Sequence, residues 1–495
     1  MIRYLDQIIS YSARKRPRKT ALIEIDAPDK SITYKKLDEE VDSVAYQLTA
    51  KGLLKGERVG ILSQNSIGFV IVYFAVVRAG GTCVVLNHTL SKADIIDRAK
   101  ECSVSALYAG RGMERKAKDI SGKLKSVRFI VEYPSRVPEK RRKLQPKTEN
   151  TVALIIFTTG TTGRSAGVML SHRNLLSNSG SVAKYLNITP ASRVCCVLPF
   201  YYIYGLSLLF SHLISGGTVI IENRFMYPNV VLDTIEKYKA SSFAGVSSHY
   251  AIFLYKSDFK KHRLPSLKYY MQAGDAMPRH ITEELLSLFP RKKLYIMYGQ
   301  TEASPRLTYL DPKLARKKPE SVGRPIPGVR IKLVNEKGKE CGAGEKGEIA
   351  AKGDNVMPGY WNNPEDTKKV IKKGWLYTGD VAFRDKDGDI FIVGRKKDFI
   401  KIGANKVDPV EIEHLVMKDE NIMEAAAVEI PDALLGSRIK LYVAPLPGRK
   451  ISPRYVMRIC RQAMPSYKIP SEVVILKAMP KNSYGKTDKE KLRLI

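Results

Sequence analysis

Cysteine and histidine are scarce, and neither is spaced to hold a metal. The 495 residues include 6 cysteines and 7 histidines. Cys83, Cys102, Cys195, Cys196, Cys341 and Cys460 form no C-x-x-C pair, and no H-E-x-x-H or H-x-H occurs, so a structural zinc is excluded and a reducing cytoplasm fits. A chain this long needs no such staple, since it exceeds what one core supports and is expected to form two or three domains. Uninterrupted apolar runs are also missing. The most apolar stretch, "FVIVYFAVVRAGGTCVVL" from Phe69 to Leu86, is broken by Arg78, Gly80 and Gly81, which predicts a buried helix followed by a strand rather than a membrane span. "MIRYLDQIISYSARKRPRK" has no apolar core ahead of its basic residues and does not read as a secretory signal. There is no internal repeat and no low-complexity segment.

Acidic residues are few relative to basic ones, 50 against 83, leaving a formal net charge of +33. The last hundred residues hold 19 basic and 12 acidic side chains, so the surplus is spread along the chain and is no polybasic tail. With no RNA-recognition signature, zinc finger or basic zipper, a dedicated nucleic-acid module is excluded. The surplus is either a solvated basic surface with no specific partner or, as the more economical use of the field, a means of attracting anionic ligands or an acidic partner protein.

Through the first four hundred residues, strand-like runs ("RVGILSQ", "TCVVLN", "SALYAG", "RFIVEY", "VALIIF") alternate with helical patterns, which predicts an α/β architecture with largely parallel sheets. "PSRVPEKRRKLQPKTEN", Pro134–Asn150, is rich in proline and charge and is expected to be a linker dividing two subdomains. A second boundary is expected after Gly394, where a basic turn leads to "DPVEIEHLVMK". Asp408 is placed there as a helix N-cap, with Pro409 at the first helical position. The expected organisation is a large domain over residues 1–394, including a small barrel-like subdomain, and a compact α+β domain over 395–495.

Five stretches carry chemistry. "IIFTTGTTGRSAGVMLSH" puts two Thr-Thr-Gly repeats directly after an apolar strand, and glycines without Cβ let backbone N–H groups approach an anion closely. It is not the G-x-x-x-x-G-K-[ST] loop, because Ala166 stands six positions after Gly160. "MYGQTEAS" offers Tyr298 as a stacking surface, Thr301 as a phosphate donor and Glu302 as a magnesium carboxylate. "GWLYTGDVAFRDKDGDIFIVGRKKDFIKIGANK" places Asp380 after a tight turn, where it can accept from two ribose hydroxyls, and Arg395 after a strand as a rigid donor. "GEIAAKGDNVMPGYWNNPEDT" reads as mostly structural, and "MPKNSYGKTDKEKL" ends the chain with Lys486 on a glycine-containing loop.

In this order and spacing the five stretches resemble the adenylate-forming superfamily of acyl- and aryl-CoA synthetases, peptide-synthetase adenylation domains and beetle luciferases, over essentially the whole chain. The resemblance implies that Thr158, Thr159, Gly160, Thr161, Thr162 and Gly163 wrap the β- and γ-phosphates of ATP while an acid's carboxylate attacks the α-phosphorus. Tyr298 would lie against adenine, Thr301 would touch the α-phosphate, Glu302 would hold Mg²⁺, and Asp380 and Arg395 would fix the ribose. Lys486 would bridge the acid and the α-phosphate, where its loss would cost about 3–4 kcal/mol. Lys397 matches the hinge about which the small domain rotates, and Lys401 and Gly403 match the loop that enters for thiol attack by coenzyme A or by the phosphopantetheine of an acyl carrier protein.

Two departures from the family pattern stand out. Ala166 replaces the usual lysine before Gly167, a loss worth about 1.5–3 kcal/mol of charge-assisted contact, or roughly tenfold to a hundredfold in adenylation. Tyr202 in "LPFYYIYGLSLLF" replaces a frequent histidine and can still gate the carboxylate pocket. That tract has no aspartate to pair with an ammonium, which disfavours a free α-amino acid. Ser247, Ser248, Gly274 and Gln300 complete the pocket candidates, with Gly274 also counted among the nucleotide contacts, and Asp275 beside them has no assigned role. The acid implied is fatty or otherwise aliphatic. The expected activity is an ATP-dependent acid–thiol ligase; a luciferase-like oxygen-using enzyme and a nucleotide-binding protein with impaired turnover share the scaffold.

Overall fold

The computed structural model describes residues 2–26, 28–134, 144, 147–158, 166–396, 398–402, 405–432, 436–481 and 487–495. A seven-stranded sheet runs in the order Gly359–Tyr360, Ala166–Ser171, Val152–Thr158, Thr82–Leu86, Arg58–Leu62, Ala106–Ala109, Phe129–Val131. Its last five strands are parallel, and Ala166–Ser171 returns antiparallel beside Val152–Thr158. A nine-stranded sheet, parallel through its middle, carries Lys293–Gly299, Tyr269–Gln272, Ser242–Gly245, Arg193–Cys196, Thr218–Ile221 and Thr20–Glu24 in that order, with antiparallel strands at both edges. Parallel strands must be covered on both faces, which is why their sequences are continuous apolar runs and not alternating ones.

The expected helix in the most apolar stretch is Ile67–Arg78, all of whose residues are buried. Apolar on every side, it belongs in the interior. Ser66 caps its start by accepting from the Phe69 N–H, and at its end the buried Arg78 guanidinium meets Asp38 and Asp42, each at 2.7 Å. A cation at that end also suits the helix dipole.

The segment 134–150, expected to divide two subdomains, has strands of one sheet on either side of it. Phe129–Val131 before it and Val152–Thr158 after it lie in the same seven-stranded sheet, because the chain crosses from the sheet edge to pair Leu154 with Cys83. Charge and proline content say nothing of which strand the chain pairs with next. Lys147, close to its end, is half-buried and ion-paired with Asp6 at 2.6 Å.

A smaller antiparallel sheet holds Val329–Val334, Gly347–Gly353, Trp375–Arg384 and Ile371–Lys372, and Ile390–Arg395 pairs with Trp375–Arg384. Beyond it, Ile422–Asp432 and Gly436–Pro445 form a long hairpin joined in parallel by Glu472–Ile475. Helices Pro409–Val416 and Pro453–Ala463 pack on one face of this sheet through Ile412, Val416, Val456 and Cys460; Met479 and Leu492 cover the other. The Asp408 cap is as read from the sequence: its side chain accepts from the Val410 N–H, with Pro409 opening the helix. All six cysteines are unpaired, and among the described residues no helix is long and apolar enough to cross a membrane.

Candidate active site

Three residues far apart in sequence meet where the nine-stranded sheet approaches the small antiparallel one. Tyr298 stands near the end of Lys293–Gly299, and its hydroxyl donates to Asp380 Oδ2 at 2.5 Å. Asp380 and Arg395 are direct cross-strand partners in the small sheet, and Arg395 Nε donates to Asp380 Oδ1 at 2.9 Å. Asp380 is only 5% exposed. Burial, reinforced by the adjacent Asp380, pushes the Tyr298 phenol well up, so it keeps its proton and donates. Asp380 in turn raises the Arg395 guanidinium. Each carboxylate oxygen has spare lone pairs, so the group is held in place by two donors and can still accept from hydroxyls.

The next turn carries Thr301 and Glu302 in a short 3₁₀ segment, Thr301–Ala303. Thr301 is buried, and the Glu302 carbonyl accepts from the Met357 N–H at 2.9 Å. Glu302 Oε1 accepts from the Tyr360 hydroxyl at 3.0 Å. Burial, with Asp380 adding to it, raises the Glu302 carboxyl above its ordinary value, against the opposing pull of Tyr360 and Arg395. Among the described residues no cation forms an ion pair with Glu302. A carboxylate held at one oxygen and short of positive charge fits a hard divalent ion.

Tyr360 is the residue that sequence reasoning missed. "NVMPGYWNNPEDT" was expected to be mostly structural, yet Gly359–Tyr360 pairs with Ala166–Ser171, and the Trp361 N–H donates to the Gly167 carbonyl at 2.7 Å. It joins the exit of the threonine-rich loop to the Glu302 turn. A tyrosine next to glycine in a turn-rich stretch carries no local mark of this, because the contact is made across 58 residues.

Thr158 ends Val152–Thr158 as the cross-strand partner of Ala166. Thr159, Gly160, Thr161, Thr162 and Gly163 lie outside the described residues. Gly167 is closely packed: a Cβ there would come within 3.2 Å of Ile155 and 3.3 Å of Trp361, so those side chains would have to give by a few tenths of an ångström.

The pocket candidates gather around two helix starts. Tyr202 immediately precedes Ile203–Ile214, and Ser247 begins Ser247–Lys256. The Ser247 N–H donates to Asp275 Oδ1 at 3.2 Å, and Gln272 Nε2 donates to the Asp275 carbonyl at 2.6 Å. Asp275 thus ties Ser247 to the turn containing Gly274, whose φ of +109° is a backbone angle that only glycine adopts without strain. Ser248 and Gln300 are both half-buried, and Gln300 directly precedes the Thr301 turn.

Lys401 lies on Ile400–Ile402, whose hairpin partner is Asn405–Val407. Gly403, in the turn between them, and Lys397 lie outside the described residues, as does Lys486. The ends of the Lys486 loop are described: Lys481 and Thr487 bridge as antiparallel partners, and the Asp488 N–H donates to the Pro480 carbonyl at 2.8 Å.

Compared with known families, residues 9–361 match the family described as AMP-binding enzyme and residues 411–486 match the AMP-binding enzyme C-terminal domain. A long-chain-fatty-acid–CoA ligase of Bacillus subtilis (strain 168) is 29% identical across 99% of this chain and 94% of its own length. Another from Salmonella typhimurium (strain LT2) is 30% identical across 93% and 90%. Among solved structures, ATP-bound MatB from Rhodopseudomonas palustris is 27% identical with a TM-score of 0.90, over 100% of this chain and 99% of that one. The o-succinylbenzoate CoA synthetase of Bacillus subtilis, in complex with its acyl-adenylate intermediate, is 26% identical with a TM-score of 0.86, over 98% and 97%.

Proposed function

The chain belongs to the AMP-binding enzyme family, and from that premise we propose that it activates a fatty or other aliphatic carboxylic acid with ATP and passes the acyl group to the thiol of coenzyme A. It is an AMP-forming acid–thiol ligase. In the first half-reaction the acid's carboxylate oxygen attacks the α-phosphorus, a P–O bond forms, and pyrophosphate leaves. In the second the thiol attacks the acyl-adenylate carbonyl and AMP leaves.

The observation that carries the reading is the meeting of Tyr298, Asp380 and Arg395 beside the Glu302 turn. Asp380 accepts from the ribose hydroxyls while Tyr298 and Arg395 hold it, and the Tyr298 ring lies along adenine. Preorganised groups of this kind need no rearrangement as the reaction proceeds. Thr301 and Glu302 would hold the magnesium ion that accompanies the nucleotide, which when bound neutralises phosphate charge. The Thr158–Gly163 loop closes on the β- and γ-phosphates. Lys486 meets the acid and the α-phosphate in the first step. Rotation of the small domain about Lys397 then withdraws it and brings Lys401 and Gly403 to the site. Six unpaired cysteines support a cytoplasmic setting.

Pyrophosphate exchange over a panel of carboxylic acids, followed by thiol consumption with free coenzyme A or with a phosphopantetheinylated carrier protein, tests both half-reactions. Acid-dependent exchange together with coenzyme A consumption is expected. Exchange with thiol consumption by the carrier alone would reassign the acceptor, and no exchange with any acid would overturn the reading.

A further inference from the structure

Arg306 is a buried cation with no counter-charge among the described residues. It opens the strand Arg306–Tyr309, four residues beyond Glu302, and is 3% exposed. No described carboxylate forms an ion pair with it, and its Nε has no hydrogen-bond partner. Its Cζ lies 4.0 Å from the centre of the Tyr204 ring. Tyr185 is the second phenol beside it; burial raises both phenols and the guanidinium draws them partly back. Both hydroxyls spend their protons elsewhere: Tyr204 donates to the Met271 carbonyl at 3.1 Å and Tyr185 to Met297 Sδ at 2.9 Å. Their oxygens are therefore left to accept from the Arg306 guanidinium, as neutral acceptors that carry no counter-charge.

The position of Arg306 is rigidly set. Its carbonyl accepts from Asn178 Nδ2 at 2.9 Å and Asn355 Nδ2 at 3.2 Å, and the same two amides hold the Ala303 carbonyl at 3.2 and 2.9 Å. The arginine is thereby clamped to the turn bearing Thr301 and Glu302. Tyr204 lies in the helix that Tyr202 precedes, and Met271 lies on the strand that leads to Gly274. Arg306 thus stands among the elements that carry the acid-pocket candidates.

A guanidinium cannot shed its proton, and desolvating one without an anion is costly; a ring face recovers only part of that cost. We propose that Arg306 receives a second anionic group on the acid, so that the substrate class is the aliphatic dicarboxylic acids: one carboxylate is adenylated and the other is bound by Arg306. This rests on the adenylation reading given above and narrows the acid within it.

The test is ATP–pyrophosphate exchange by the full chain with linear dicarboxylic acids of three to ten carbons and monocarboxylic acids of matched length, alongside thermal shift with each acid in the absence of ATP. At least one dicarboxylic acid should exceed its matched monocarboxylic acid a hundredfold in kcat/KM. Arg306→Met should abolish that preference, and Arg306→Lys should keep part of it. Monocarboxylic acids exchanging as well as every dicarboxylic acid in the unaltered protein would overturn the proposal while leaving adenylation intact, and this comparison holds even if the Met variant fails to fold. If no acid supports exchange, adenylation fails, and thermal shift then decides the role of Arg306. Stabilisation by a dicarboxylic acid and by no matched monocarboxylic acid supports it, and its absence refutes it.

Discussion

Replacing Tyr360 with phenylalanine isolates the contact between the Gly359–Tyr360 strand and the Glu302 carboxylate. The substitution removes one hydroxyl, which donates to Glu302 Oε1 at 3.0 Å. It spares the Tyr360 backbone, whose N–H donates to Thr367 Oγ1 and which pairs with Val168, so the fold is retained. A hydrogen bond to a charged group contributes about 1.5–3 kcal/mol, equivalent to a factor of about 10 to 150. Glu302 is already raised by burial, and the Tyr360 donor works against that shift. Without the donor the carboxyl rises further, so a larger fraction is protonated at a given acidic pH and unable to bind a cation. The expected result is an acid limb of kcat/KM displaced to higher pH, with the magnesium concentration for half-maximal adenylation raised about tenfold or more at pH 6 and less at pH 8. Steady-state pyrophosphate release across pH and magnesium concentration measures both. A Y360F enzyme with the magnesium dependence and acid limb of the unaltered protein would refute the link between Tyr360 and the metal carboxylate.

Asp380→Asn removes the charge held by Tyr298 and Arg395 and should lower kcat/KM for ATP about a hundredfold, from charge-assisted bonds of about 1.5–3 kcal/mol each, with far-ultraviolet circular dichroism unchanged. Ala166→Lys restores the loop lysine at a half-buried strand end and should raise adenylation roughly tenfold; unchanged turnover and ATP affinity would exclude a role for the missing charge. His172, His212 and His249 are each lowered by burial to about 4. Unfolding frees them to take up protons near their ordinary value of about 6.5. Their stabilising contribution is thus fully present above that value and is lost as pH falls towards 4. Stability against denaturant should therefore fall from pH 7 to 5.5, and a flat stability over that interval would contradict burial of the neutral rings.

Tyr298, Thr301, Glu302 and Arg395, proposed to hold the nucleotide and its metal, stood out in the sequence because each lies at or just beyond the end of a strand, a pattern local to a few residues; Asp380 stood out beside Gly379, although it lies in the middle of the strand Trp375–Arg384. The same holds for the Asp408–Pro409 helix start and for Ile67–Arg78, whose unbroken apolar character permits only an interior position. Pairing between distant segments was not legible. Nothing in 134–150 says that the next strand returns to Thr82–Leu86, and nothing around Gly359 says that Tyr360 reaches Glu302. Arg306 escaped for a related reason. An arginine at the start of a strand reads as a solvated edge residue, and only the packing of Tyr204 and Tyr185 around it reveals a buried charge. Asp275 likewise gained a partner, the Ser247 N–H, only when its turn was set against a helix start.

The proposed function depends on one placement, with the nucleotide bound where Tyr298, Asp380 and Arg395 converge. A crystal structure of the protein with ATP, magnesium and an accepted carboxylic acid tests this directly. The ribose hydroxyls are expected within hydrogen-bond distance of Asp380, adenine along the Tyr298 ring, and the α-phosphate beside Thr301. A nucleotide bound elsewhere, with the Tyr298–Asp380–Arg395 contacts untouched, would contradict it.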